Sequence, residues 1–83
     1  MKFGIYAVRD VKVGFQSISV QPNDAAAVRG FESTVINSDS VLFTHSEDFS
    51  LFKLGEFDAE SGRIAALDLP VQLIEASVCL RKK

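Results

Sequence analysis

A lone histidine, His45, stands in the polar run Thr44-His45-Ser46-Glu47-Asp48, which holds the hydroxyl, imidazole and carboxylate of a hydrolytic triad. Such a triad is an arrangement in space, and neighbours in sequence rarely meet that way. The run reads instead as a solvent-facing loop in which Ser46 caps the turn at Asp48. Cys79, the one cysteine, lies between Val78 and Leu80 and reads as a buried, inert thiol. One cysteine and one histidine cannot assemble a zinc set or an internal disulfide. The acids Glu56, Asp58 and Glu60 alternate with other residues but lack the ligand spacing of a calcium loop, so a solvated turn is expected. The five glycines form no phosphate-binding pattern. No catalytic residue, metal ligand or cofactor site emerges, and the chain reads as a non-enzymatic protein that works by binding.

The remaining chemistry is that of aromatic and basic side chains lying close together. Tyr6 is near Arg9 and Lys12, and Phe52 precedes Lys53. Single-stranded nucleic acid is held by cations that track its phosphates and by aromatic faces on which its bases stack. Tyr6, Arg9, Lys12, Phe52 and Lys53 are therefore the candidate nucleic-acid-binding residues, with Arg81, Lys82 and Lys83 as a loose electrostatic aid. The competing reading leaves Tyr6 half-buried and Phe52 in the core. The net charge of −2 argues against a generic nucleic-acid binder. That charge is unevenly spread, however: residues 1–22 carry three bases against one acid, whereas residues 47–60 carry five acids against one base.

These residues need elements to position them. Lys2 to Arg9 alternates, with Phe3, Ile5 and Ala7 on one face and Tyr6 and Val8 on the other. Phe15 to Gln21 alternates again, placing Ile18 and Val20 opposite Ser17 and Ser19, so the two runs form an antiparallel hairpin. Pro22-Asn23-Asp24 ends the strand and starts a helix, with Asn23 as N-cap and Asp24 complementing the helix dipole. Ala27, Val28, Phe31 and Val35 form its apolar stripe. Gly30 implies a close neighbour there, and Asn37 and Ser38 end the helix. A second hairpin covers Phe49 to Leu67 and turns at Asp58-Ala59-Glu60-Ser61-Gly62. Its first strand is apolar on both faces, Phe49 and Leu51 opposite Phe52 and Leu54, and such strands are usually covered on both sides. After Pro70, Val71 to Leu80 reads as a helix with Leu73, Ile74, Ser77 and Val78 inward, and residues 81–83 as a mobile basic tail. The expected fold is α+β: a small antiparallel sheet from two hairpins flanking one main helix, with a weaker C-terminal helix, in the order β-β-α-β-β-α. One domain spans residues 1–83.

Self-association is expected from size and composition together. A chain of 83 residues buries only about 60% of the surface its unfolded form exposes, which makes a lone core marginal. Seven phenylalanines, one tyrosine and a hydrophobic fraction of 47% supply more apolar area than so short a chain can enclose. A homodimer is the expected outcome. No run is long enough to cross a membrane and no leader peptide is recognisable, so no membrane partner is expected and cytoplasm is the default location.

Several stretches carry a resemblance: Met1-Lys2-Phe3-Gly4-Ile5-Tyr6-Ala7-Val8-Arg9-Asp10 at the start, Pro22-Asn23-Asp24-Ala25 with Phe31 in the helix, then His45 to Asp58 and the turn closing at Gly62. In this order they resemble the small non-structural protein of gokushovirus-type microviruses, tailless phages with single-stranded DNA genomes. The resemblance implies a protein of the infected bacterial cytoplasm, absent from the mature virion. It also implies binding of single-stranded viral DNA during the switch from genome replication to packaging. Two functions follow as expectations. One is a dimeric module that binds single-stranded DNA without sequence preference. The other is an adaptor between viral replication and procapsid proteins, with no significant DNA affinity, whose sticky surface is the strand Phe49 to Leu54.

Overall fold

The computed structural model describes residues 1–81, so Lys82 and Lys83 of the expected tail lie outside the described residues. Four strands form one antiparallel sheet: β1 (Lys2–Asp10), β2 (Gly14–Gln21), β3 (Phe49–Asp58) and β4 (Ile64–Glu75), in spatial order β2-β1-β3-β4. Three helices pack on one side of it: α1 (Asp24–Val35), α2 (Val41–Thr44) and α3 (Ala76–Arg81). The expected α+β class and its two hairpins are present.

The helix-side core is set by strand parity. Tyr6 and Val8 on β1 and Phe49 and Leu51 on β3 meet Ala27, Phe31 and Val35 of α1 and Ala76 and Cys79 of α3. The start of α1 follows its sequence: Asn23 accepts from the Ala26 N–H at 2.8 Å, satisfying a donor that the first helical turn leaves free. The β3–β4 turn also forms as its residues dictate. Asp58 accepts the Glu60 N–H at 2.9 Å through its side chain, and its carbonyl accepts the Gly62 N–H at 2.7 Å, with Gly62 at φ +78°.

The C-terminal element differs from expectation. Pro70 does not separate a strand from a helix; β4 runs through it to Glu75, and α3 begins only at Ala76. The strand tolerates proline because β4 is an edge, where a missing N–H leaves no ladder bond unmade. Its register slips there: Lys53 pairs with Val71 and Gly55 with Ala66, so Leu54 alone faces the four residues 67–70. Leu73 and Ile74 reach the core from a strand, and α3 buries Ala76 and Cys79.

Two further expectations are corrected. Gly30 is exposed, and a Cβ there would meet nothing within 4 Å, so close packing does not explain it. It borders a groove of about 310 Å³ between α1 and β2. The doubly apolar strand β3 is covered by helices on one side only, which leaves Phe52 facing away from them.

Candidate nucleic-acid interface

The five candidate residues fall on two sides of the sheet. On the helix side, the Tyr6 ring lies over Gly4, where any Cβ would collide with it. The ring is fully buried, and its hydroxyl donates to Asp24 Oδ1 at 2.6 Å. Lys53 Nζ stands 3.5 Å from the same carboxylate oxygen and 4.0 Å from Glu56 Oε2. Burial, reinforced by the bond to Asp24, pushes the Tyr6 phenol well above its ordinary pKa. The bond from Tyr6 in turn holds the Asp24 carboxyl below the usual range, with Lys53 adding to the effect. The phenol therefore stays a donor and the carboxylate stays charged, fastening β1 to the first turn of α1 and to β3.

This cluster sets two of the expected residues apart from the other three. Tyr6 presents no ring face on which a base could stack, so its expected role as a stacking residue is corrected. Lys53 lies on the same covered side with its charge shared between two carboxylates, which takes it away from the remaining candidates.

Among the described residues, no helix covers the other side of the sheet. Arg9 is exposed and pairs across the ladder with Phe15 on β2 and with Ser50 on β3; Ser50 pairs in turn with Glu75 on β4. Directly opposite residues share a face, so these four form one row across the sheet. In the next row Ala7 pairs with Phe52 and Phe52 with Gln72. The Phe15 and Phe52 rings meet edge to face, centroids 5.3 Å apart and planes at 87°. Ala7 is only 1% exposed on this helix-free face, so neighbouring side chains such as these rings must shield it. Lys12 is exposed in the β1–β2 turn beyond Arg9, where Asp10 Oδ1 accepts its backbone N–H at 2.9 Å. Toward the other end the face turns wholly apolar, through Ile5 opposite Val20 and Phe3 opposite Phe57 opposite Ile64.

The structure thus gathers Arg9, Phe52 and, at the adjacent turn, Lys12. It adds Phe15, which residue types alone did not single out. The signal was parity: in an alternating strand, Phe15 differs from Ser17 only by its neighbours, and a bulge in β2 with Ser17 at φ +58° hides which residues share its face.

Architecture and surface together define a two-layer α+β domain with a bare, aromatic sheet face. The chain belongs to the Phage ORF5 protein family, whose model matches residues 3–79. No curated protein and no solved structure gives a significant match to it.

Proposed function

We propose that this phage protein is a non-enzymatic binder of single-stranded viral DNA, and that the helix-free sheet face is its DNA platform. The observation behind this reading is the cluster of Arg9, Phe15 and Phe52 on one uncovered face, with Lys12 beside it. Four-stranded antiparallel sheets backed by helices can serve as base-stacking platforms when aromatic rings stand on their open face. Arg9 and Lys12 then meet phosphates while Phe15 and Phe52 offer ring surface to bases, a sequence-tolerant mode. Of the acids near these strands, Asp24 and Glu56 are engaged with Lys53 on the opposite side, which leaves Glu75 as the acid in the Arg9 row of the open face. The biological setting is that of a gokushovirus-type microvirus: host cytoplasm, outside the mature virion, at the switch from replication to packaging.

The test is fluorescence anisotropy of a labelled oligo-dT at several salt concentrations. The expected log–log salt slope is about −0.7 per phosphate neutralised, and Arg9→Ala with Lys12→Ala flattens it. Salt-independent or absent binding overturns the reading.

A second reading has its own observation. The apolar end of the face, with Ile64 72% exposed, suits a protein partner better than a nucleic acid, as an adaptor between replication proteins and procapsid requires. No oligo-dT binding at low salt favours that role.

A further inference from the structure

We propose that in the free protein a second copy of this chain covers the open sheet face, and that single-stranded DNA must displace it. The dimer stands on the geometry alone; the competition rests on the DNA-binding reading above.

The first argument is area. Phe15, Ile18, Val20 and Ile64 remain 45%, 69%, 48% and 72% exposed. Together with the partly exposed phenylalanines between them they leave on the order of 600 Å² of apolar surface, taking about 150–250 Å² for a whole aromatic side chain and less for Ile and Val. That is the upper end of the ~300–600 Å² found for the largest patch of a typical monomer, and approaches the ~800 Å² each partner contributes to a standard interface. Two sheets packed face to face about 10 Å apart bury it, as in a β-sandwich.

The second argument is charge. The row Phe15–Arg9–Ser50–Glu75 places one cation and one anion on the same face, two strands (about 10 Å) apart, and the two form no ion pair within one copy. Now rotate a second copy by 180° about an axis parallel to the strands. Each β1 then lies over the partner's β3 and each β2 over the partner's β4, with like ends together. Arg9 comes to face the partner's Ser50 across the interface, offset sideways by one strand spacing (about 4.8 Å) from the partner's Glu75, and the two side chains point toward each other. Two-fold symmetry makes the contact twice. An axis across the strands would instead set Arg9 over the partner's Phe3, beside its Phe57, and bury a cation without an anion, which is costly. The charges therefore select the first arrangement, in which both Arg9–Glu75 pairs lie at the rim of one end.

Because the covered residues include Phe15, Phe52 and Arg9, the dimer hides the DNA platform. DNA affinity is then lowered by the fraction of protein held as dimer, and rises when the dimer is weakened.

Sedimentation of the full chain, with and without oligo-dT, tests both parts. The wild type should sediment as a dimer at tens of micromolar and shift to a protomer–DNA complex when oligo-dT is added. Arg9→Glu and Glu75→Arg should each give monomer, and the double variant should restore the dimer. Ile64→Asn, far from Arg9 and adding no charge, should loosen the dimer and tighten oligo-dT binding several-fold. A wild type that is monomeric throughout, or a dimer indifferent to both charge reversals, overturns the proposed interface. A dimer that binds oligo-dT without dissociating overturns the competition and leaves the dimer. A charge-reversible dimer with no oligo-dT affinity overturns the DNA reading alone.

Discussion

The Tyr6 hydroxyl and the Asp24 carboxylate meet at 2.6 Å, joining the middle of the first strand to the first turn of the main helix. Each partner holds the other in one protonation state, so the bond has a definite pH signature. Asp24, lowered in the fold, adds stability that is present above the unfolded value of about 4 and lost as pH falls through its lower folded value. Tyr6, raised in the fold, adds stability that is present below the unfolded value of about 10 and lost as pH climbs toward its higher folded value. Tyr6→Phe should therefore flatten both limbs of a plot of Tm against pH. At neutral pH it should cost about 1 kcal/mol, below the ~1.5–3 kcal/mol usual for a hydrogen bond to a charged group, because Asp24 is half-exposed and water replaces the lost donor. Parallel wild-type and variant profiles would mean that the bond contributes nothing to either limb.

Gly4 should tolerate no side chain. The Tyr6 ring occupies the space a methyl group would need, and Tyr6 cannot retreat without giving up Asp24. Gly4→Ala is expected to destabilise by about 1–3 kcal/mol through overpacking, read as a lower urea midpoint with unchanged slope. In the Tyr6→Ala background the same change should be nearly silent, since the clash then has no second party.

The helix start offers a calibrated comparison. Asn23→Ala removes the acceptor for the Ala26 N–H and should cost about 1 kcal/mol, whereas Asn23→Ser should retain most of the stability. Thermal unfolding distinguishes the two.

Phe15 and Tyr6 should separate in DNA binding. Phe15→Ala is expected to weaken oligo-dT affinity by about 1–3 kcal/mol in a monomeric background, the range for losing one stacking surface, with the salt slope unchanged. Tyr6→Phe, on the buried side, should leave affinity where it was. Equal effects from both would mean that stacking on the open face is not the mode.

Much of this arrangement was readable from residue types. Alternation along Lys2 to Arg9 separates Tyr6 and Val8 from Phe3, Ile5 and Ala7, and the helix-side core gathers Tyr6 and Val8 together as that parity groups them. Asn23 and the Asp58-to-Gly62 turn act as their local chemistry dictates. What alternation cannot say is which of two apolar faces the helices will cover; that depends on how the crossing chain from Gln21 to Phe49 packs back on the sheet. So Tyr6 and Lys53, grouped with Arg9 by closeness in type and sequence, end on the opposite side from it. Val71 to Glu75 misled for a related reason: an apolar run of that length suits a strand or a helix, and only pairing with β3 decides.

The excursion of residues 67–70 around Pro70 has a consequence for how far such a sheet can spread. Extending a sheet strand by strand from molecule to molecule needs a receptive border on both flanks of every unit. Here one flank carries Asp68, a proline and a four-residue detour, so a neighbour could align with it only over short stretches. The opposite flank, β2, has neither charge nor proline across its eight residues, but one receptive border per molecule allows pairing and then stops. A chain with so apolar a sheet is thus hindered from extending edge to edge beyond a pair.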